Sequence, residues 1–416
     1  MIDSKTQVRD LKDDSKFKLS KFLVKWEMML VYILLLVNLI IIILRPNLYF
    51  SSGTIQSIIQ SSMDLSFMVL GMIFILMLGD IDVSVASIMI VSAMVIGLLY
   101  QAGAGSFIAI IGGLSAGGAC GFINGYLVAK FKMPSVIVTI STALLFRGIV
   151  KIVLDVNVLK NFPSWFSVLS WDSVLGIPVI LIAFLIFSAV FMVILHKTKF
   201  GRKLYAIGNS KTVAEYSGIA VDKVKIITFV IMGIMAGVSS IFFIGRFSGI
   251  SSTMAKGYEL DVIVIAVLGG ISTNGGKGKV YGPVIAVFIM TFLYYILGLL
   301  GVDSNVRKIV TGIILISAIL LPNANKEFFD SLRLKLFFSN DKNIQSFIHS
   351  SNMEIKNLKL KLLSIKKSDK SEVEKQTSIK EITDNILLLK QKQKLRVKEI
   401  KKTKKTNIIS TKNNSN

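Results

Sequence analysis

Carboxylates set between apolar stretches are the residues of this sequence best placed to do chemistry. Asp80 and Asp82 lie between two short apolar runs, and Glu259 and Asp261 open a third. A carboxylate within a bilayer is costly unless it faces water, protein or the membrane edge, so these positions indicate a polar path through a membrane. The alternative is helix capping, with Asp82 or Ser84 capping the run that follows and the second pair capping its own run. The first pair fits both interpretations, and the second fits capping better.

Three more polar residues lie inside apolar runs, namely Asn124, Thr139 and Arg147. An intramembrane arginine is expensive and usually faces a polar path or pairs with an acid. Thr139 could bind a polar solute or bond back to its own helix, and both interpretations stay open. We therefore predict a substrate pathway built from these polar residues: Asp80, Asp82, Ser84, Asn124, Thr139, Arg147, Glu259 and Asp261.

Several kinds of site are excluded by residue types and spacing. The one cysteine, Cys120, and the two distant histidines give no cysteine cluster and no metal site. The glycine-rich run after 269 is not a phosphate-binding loop, because Ile271 stands where glycine is required and Gly278 follows Lys277. We expect no catalytic residue, no bound metal and no cofactor, so the energy for any transport must come from a partner or an ion gradient.

The elements that position these residues are apolar runs separated by short polar segments. Hydrophobic residues make up 53% of the chain, which is typical of a membrane protein with many spans. We predict an all-α, polytopic fold with about ten transmembrane helices. The predicted spans, in order, are Trp26–Leu44, Leu65–Leu78, Val85–Tyr100, Phe107–Ala129, Pro134–Leu154, Leu175–Leu195, Ile226–Ile244, Leu260–Leu268, Pro283–Leu297 and Val306–Leu321. The second and eighth are short and end in glycine-containing polar loops, as expected of interrupted helices in the two halves of a repeated transporter fold.

The charge distribution divides the chain and orients it. Residues 1–25 are polar, 26–322 carry the spans, and 323–416 form a basic segment in a chain of net charge +23. With ten crossings, most Lys and Arg fall on the side of both termini, which predicts that both are cytoplasmic in a plasma (inner) membrane. The composition of 323–416 predicts a mostly disordered tail that could adhere to anionic membrane lipid. Its scarcity of aromatic residues argues against a nucleic-acid partner.

A basic island, Lys199–Lys225, lies between the sixth and seventh predicted spans. Asn209 or Ser210 can cap a short helix there, and Gly218 can end it. The island therefore predicts a docking helix on the cytoplasmic face.

Four motifs in order resemble the permease subunits of ribose-, xylose- and galactose-type ABC importers. These motifs are IDVSVAS at 81–87, NGYLVAKFKMPSVIVTISTALLFRGI at 124–149, FGRKLYAIGNSKTVAEYSGIAVDKVK at 200–225 and GYELDVIVIAVLGGISTNGGKGKVYG at 257–282. The resemblance implies a dimer with a second permease copy or paralogue, cytoplasmic ABC ATPase subunits and an external sugar-binding protein. It also implies that 209–218 is the coupling helix that enters a groove on the ATPase. The residues that it assigns to this contact are Asn209, Ser210, Lys211, Ala214, Glu215, Tyr216, Ser217 and Gly218.

The chain departs from this family at two places. Asp80 stands where most members read glycine in GGIDLS, which resembles the rhamnose and autoinducer-2 branches and suggests a deoxyhexose or a related furanose. The segment 323–416 has no counterpart in the family pattern. The competing hypothesis is a stand-alone secondary transporter coupled to protons through Asp80, Asp82 or Glu259, which would have no need of a coupling helix.

Overall fold

The computed structural model describes residues 26–51, 53–323 and scattered residues between 350 and 392. The predicted cytoplasmic segment 1–25 and most of the predicted tail 323–416 lie outside the described residues. The contacts divide the chain into two compact units, Met1–Pro322 and Asn323–Asn416, and each is described by itself. In the second unit, residues 381–389 are helical.

The described part of the first unit is almost wholly helical. Its helices are α1 (Trp26–Leu44), α2 (Pro46–Tyr49), α3 (Thr54–Gln60), a 3-10 turn (Met63–Leu65), α4 (Ser66–Met77), α5 (Val85–Gln101), α6 (Ser106–Lys130), α7 (Ser135–Leu154), α8 (Ser164–Trp171), α9 (Val179–Lys197), α10 (Lys199–Asn209), α11 (Lys211–Tyr216), α12 (Val221–Phe247), α13 (Tyr258–Leu268), α14 (Tyr281–Leu299) and α15 (Ser304–Asn323). A two-stranded antiparallel hairpin, β1 (Ser173–Val174) with β2 (Ile177–Pro178), precedes α9.

Five of the described helices, namely α6, α7, α9, α12 and α14, are long and apolar enough to cross a membrane. The pair 54–60 and 63–77, bent by 45°, makes a sixth if it is one span, and Met28–Leu44 and Val85–Gln101 are shorter apolar helices. This helical, multi-span character confirms the polytopic membrane fold. The count of ten stays a prediction.

Two predicted boundaries and one predicted helix count are wrong for local reasons. The sixth span begins at Val179, because the hairpin takes up the residues before it. The seventh begins at Val221, so α12 includes the last basic residues of the island. The island also holds two helices, α10 and α11, where the sequence predicted one.

Two short helices lie at the centre of the fold. Every residue of α4 is buried, and so is the stretch Val262–Val267 of α13. A helix that is apolar on all sides must be surrounded by other elements, which explains why neither shows one polar face. The centre of the unit is therefore a pair of half-length helices that contact each other.

The long helix α12 packs along α6 through glycine. A Cβ atom on Gly121 would lie 2.2 Å from the Phe229 carbonyl oxygen, and one on Gly233 would lie 2.1 Å from that of Gly117. Small residues let two helix backbones approach closely in a membrane, where packing must replace the hydrophobic effect. The run of small residues in the sequence thus fixes the contact between α6 and α12.

Replacing Gly233 by alanine should destabilise the protein by about 1–3 kcal/mol, because the added methyl group forces the two backbones apart. Thermal unfolding of the purified protein in detergent measures the loss. Gly118→Ala is the matched control on α6, because its Cβ would lie 3.4 Å from the nearest atom, a side-chain carbon of Ile234. Equal melting temperatures for the two variants would contradict this account of the packing.

Candidate functional site

The predicted pathway residues fall into two clusters at opposite ends of α12. The cluster near its first turn, called the island-end cluster, comprises Asp80, Asp82, Ser84, Asn124 and Thr139. The cluster near its last turn, called the far-end cluster, comprises Arg147, Glu259 and Asp261. The sequence predicted one pathway, whereas the structure places these residues at two separate levels of the bundle.

Asp80 forms an ion pair with Lys225 in the island-end cluster. The Lys225 Nζ lies 2.5 Å from the Asp80 Oδ2, and the two side chains are only 12% and 11% exposed. This contact joins the end of α4 to the first turns of α12. Sequence reasoning counted Lys225 among the basic residues that orient the loop and missed its partner.

Asp82, Ser84 and Asn124 form a fully buried hydrogen-bond chain. The Ser84 amide and hydroxyl donate to Asp82 Oδ1 at 2.8 and 2.6 Å, and the Asn124 Nδ2 donates to the Ser84 hydroxyl at 2.7 Å. Asp82 therefore holds the start of α5, as the capping interpretation requires, while the Ser84 side chain does not cap it. Within the described residues, Asp82 Oδ2 and Asn124 Oδ1 have no hydrogen-bond partner.

Thr139 fixes the loop between α4 and α5. Its hydroxyl accepts from the Val83 amide at 3.1 Å and donates to the Ser135 carbonyl at 2.9 Å. The Ser135 hydroxyl accepts from the Ile81 amide at 3.2 Å. Thr139 thus bonds back to its own helix and holds residues 81–83 at the same time.

Burial raises the pKa of the Asp82 carboxyl to about 6, because its loop position between α4 and α5 is closed to water; the Ser84 hydrogen bonds oppose the shift. The fold therefore favours the protonated acid near neutral pH more than the unfolded chain does.

Arg147, in the far-end cluster, is bound by backbone carbonyls. Its Nη1 donates to Met254 O at 2.8 Å and to Ser252 O at 3.3 Å. Of the two interpretations of Arg147, a polar path or an acidic partner, the hydrogen bonds show neither directly: the guanidinium binds two carbonyl groups of the loop between α12 and α13. Arg147 ties that loop to α7.

Glu259 and Asp261 have different local roles. Both carboxylate oxygens of Glu259 accept from the Gly257 amide at 3.2 Å, so Glu259 caps the start of α13 as the sequence favoured. Asp261 does not cap: its Oδ1 accepts from the Tyr294 hydroxyl at 2.6 Å, and that hydroxyl contacts Thr311 at 3.1 Å. Asp261 thereby joins α13 to α14 and α15.

A buried ion pair between Asp64 and Arg246 was not predicted. The Arg246 Nη1 lies 2.8 Å from Asp64 Oδ1, and the Tyr258 hydroxyl lies 3.3 Å from both Asp64 Oδ2 and the Arg246 Nη1. The Asp64 side chain is 0% exposed. The signal in the sequence was the position of Asp64 directly before a short span, which mirrors that of Asp80 directly after it.

The island folds into two consecutive helices. Thr198 caps α10, and the Ser210 hydroxyl accepts from the Val213 amide at 3.4 Å to cap α11. Asn209 is the last residue of α10, so the choice between Asn209 and Ser210 as the cap falls to Ser210. Gly218 ends α11 with φ +77°, as predicted.

The outward surface of α11 combines two large side chains, Val213 and Tyr216, with charged and polar residues. Tyr216 is 90% exposed and Val213 63%, while Ala214 is buried beneath them. Lys211 and Glu215 form an exposed pair at 3.8 Å. A six-residue helix therefore presents an aromatic and a branched side chain away from the bundle.

The model of the family described as branched-chain amino acid transport system / permease component matches residues 54–319. The chain belongs to this permease family. The chain is thus a multi-pass permease component of a membrane transport system, and the resemblance read from the four motifs is confirmed. No group of three or more potential metal ligands occurs in the described part of this permease.

Relatives of this permease are named for the transport of ribose, D-allose and autoinducer 2. The ribose import permease protein of Escherichia coli (strain K12) is 32% identical over 295 residues, covering 70% of this chain and 91% of that protein. The D-allose transport system permease protein of the same strain is 33% identical over 279 residues, covering 67% and 86%. The autoinducer 2 import system permease protein of Escherichia coli (strain K12 / DH10B) is 31% identical over 271 residues, covering 65% and 79%. No solved structure matches the chain.

Asp82→Asn should change how stability depends on pH. In the wild type, the folded state keeps the Asp82 proton up to about pH 6, whereas an ordinary aspartate loses it near pH 3.9. Stability should therefore be lost as pH rises through this window and regained on acidification, by on the order of 2–3 kcal/mol. Melting temperatures between pH 4.5 and 7.5 should show this component in the wild type and lack it in the variant. Asp303→Asn, at an exposed loop carboxylate, is the control, and a wild-type slope in Asp82→Asn would contradict the assignment.

Arg246→Ala should destabilise the fold by about 3–5 kcal/mol, because it leaves the buried Asp64 carboxylate without its partner. Asp64→Asn combined with Arg246→Gln removes both charges and should recover much of the melting temperature. Thermal unfolding of both variants in detergent checks the pair. If the double variant were less stable than the single one, the charge pairing would not be the source of the loss.

Proposed function

We propose that this permease is the pathway-forming subunit of an ATP-driven ABC importer for a monosaccharide and that it couples to a partner ATPase through α11. The observation that carries the proposal is the exposure of Tyr216 and Val213 on this short, capped helix. The full assembly would contain two permeases, cytoplasmic ATPase subunits and an external sugar-binding protein. The permease itself would hydrolyse nothing.

The exposed side chains of α11 are suited to binding in a groove on another protein. Tyr216 and Val213 project from a helix of six residues that is fixed at both ends by Ser210 and Gly218. An exposed aromatic anchor on a rigid support is the usual centre of a binding surface. Ala214 faces inward, so among the residues assigned to the ATPase contact it supports the helix from below.

The helices support ten crossings with both termini on the cytoplasmic side of the plasma (inner) membrane. To the five long apolar helices and the bent pair we add α1 and α5, and then α13 and α15, which gives ten. The half-length α13 lies deep in the bundle beside α4, as an interrupted helix does when protein covers its ends. In this orientation the island and the island-end cluster face the cytoplasm, and the far-end cluster faces outside.

A monosaccharide is the substrate class supported by the relatives, whose names specify ribose and allose. Because another relative is named for autoinducer 2, the proposed substrate class also includes a related furanose. The sugar would cross between two permease copies, because the polar residues inside this chain already bond to one another. Selection among sugars would then fall largely to the external binding protein.

Proton-coupled transport is the second candidate, and one observation favours it. Asp80 is held by Lys225, and Glu259 by Gly257, but Asp82 keeps an oxygen without a partner in the described residues. A buried carboxyl that exchanges a proton near neutral pH could couple to a gradient. The two candidates differ in whether uptake needs the ATPase.

The combined change Val213→Ala and Tyr216→Ala should reduce co-purification of the partner ATPase by roughly tenfold or more, because such anchors dominate binding energy. Uptake of labelled ribose by cells should fall in parallel, while insertion into the membrane is unchanged. The control is Leu175→Ala, which removes a 97% exposed apolar side chain from the hairpin turn.

Wild-type co-purification and uptake in the double variant would overturn the assignment of α11. Uptake that persists without the ATPase, stops with a protonophore and is lost in Asp82→Asn would instead establish the secondary transporter.

A further inference from the structure

Four glycines pack the island against the ends of both short helices. This glycine junction comprises Gly79 after α4, Gly208 in α10, and Gly275 and Gly276 after α13. The Gly276 amide donates to the Met77 carbonyl at 3.0 Å. The two loops that the sequence pattern suggested as counterparts in two halves therefore bond to each other.

Gly208 lies where the two loops meet. A Cβ atom there would be 2.0 Å from the Met77 oxygen and 2.3 Å from the Gly276 nitrogen. A Cβ on Gly275 would lie 2.9 Å from the Gly79 nitrogen and 3.1 Å from the Gly208 Cα. These separations leave no room for a side chain, so α10 touches the end of α4 and the loop after α13 through bare backbone.

The reason for glycine differs among the four. Gly79, Gly275 and Gly276 have φ of +77°, +83° and +67°, so their turns alone favour glycine. Gly208 lies within α10, where its backbone is helical and alanine would be preferred by about 1 kcal/mol. Close approach to the two loops is the remaining reason for glycine at this position.

Two side chains of α10 add to the same contact. The Tyr205 hydroxyl donates to the Gly278 carbonyl at 2.7 Å and lies 3.5 Å from the His196 Nδ1. Asn209 lies so close to Gly276 that a Cβ there would be 2.6 Å from its Oδ1. Leu204 and Ile207 lie on the buried face of α10. Helix α10 is thus held by packing, by backbone contact and by the hydrogen bond from Tyr205.

The link from α10 to α11 is equally short. Ser210 is the residue after the end of α10 and the cap of α11, with no linker between the two helices. Packed protein interiors have low compressibility and transmit strain. A displacement of α11 therefore reaches the glycine junction through a single turn of chain.

We propose that the glycine junction transmits the movement of α11 to α4 and α13 together, with Gly208 and Tyr205 as the positioning residues of this coupling. The inference rests on the proposed function, because it presumes that an ATPase moves α11. Since α4 and the middle of α13 form the buried centre of the unit, a shift delivered at their common end moves both helices at once. Small shifts become larger rearrangements when packed elements have two discrete arrangements.

The test compares Gly208→Ala and Tyr205→Phe with the wild type in proteoliposomes that contain the permease, its ATPase and the external binding protein loaded with ribose. Three quantities are measured: the ATPase bound per permease, the ATP hydrolysed and the sugar transported. In Gly208→Ala, sugar transported per ATP should fall by roughly tenfold, within the range over which coupled sites influence each other. In Tyr205→Phe, it should fall by about threefold, the effect of one hydrogen bond. Bound ATPase should equal that of the wild type in both.

Two matched controls keep this test specific. Gly148→Ala adds the same methyl group to a helical glycine that has nothing within 4 Å of the added Cβ. Tyr126→Phe removes the hydroxyl of a 43% exposed tyrosine on α6. Both should transport a wild-type amount of sugar per ATP.

Each outcome separates the junction from the proposed function. If the wild type binds no ATPase, the proposed function fails and the junction proposal falls with it. If both variants bind the ATPase and keep the wild-type ratio of sugar to ATP, the proposed function stands and the junction proposal is overturned. A lower yield of Gly208→Ala with an unchanged ratio would show a packing role alone. If the Gly208→Ala variant does not insert into the membrane, the sugar transported per ATP by Tyr205→Phe decides whether the junction proposal holds.

Discussion

An ion pair at each end of α4 holds this helix against α12. Asp80 after α4 bonds to Lys225, and Asp64 before it bonds to Arg246, so the two basic residues, about 30 Å apart along α12, fix both ends of a much shorter helix. A buried charge is costly unless it is paired. Only one position of α4 along α12 allows both ion pairs to form. Through α12 the constraint extends to α6, because their glycines bring the two backbones into contact.

The polar residues of this permease serve the ends of its short helices. At one end, the chain through Asp82, Ser84 and Asn124 holds the start of α5 while Thr139 holds the loop before it. At the other end, carboxylates and hydroxyls tie α13 to its neighbours. Between the two ends, α4 and the stretch Val262–Val267 of α13 are apolar and buried. The two central helices are therefore held by polar contacts at their ends and by apolar packing between them.

The island connects this centre with the surface. Its second helix presents Tyr216 and Val213 outward, and its first helix packs Gly208 onto the loops that end both short helices. The proposed docking helix and the helix that makes the internal contact are thus adjacent in the chain, separated by the one capping residue Ser210. The glycine contacts show which internal elements lie directly behind the proposed docking surface.

Local pattern in the sequence was enough to predict the apolar helices, the two short apolar segments that form α4 and α13, a cap at Asn209 or Ser210, and the stop at Gly218. These features depend on neighbouring residues and on helical periodicity, and the four motifs that carried the family resemblance are also local. The tertiary structure alone decided which charges pair, because Asp80 and Lys225 are 145 residues apart and Asp64 and Arg246 are 182 apart. It likewise divided the predicted pathway into two clusters. It also explained Gly208: glycine destabilises a helix, and only the folded structure shows that the backbone of two other segments lies too close for a side chain.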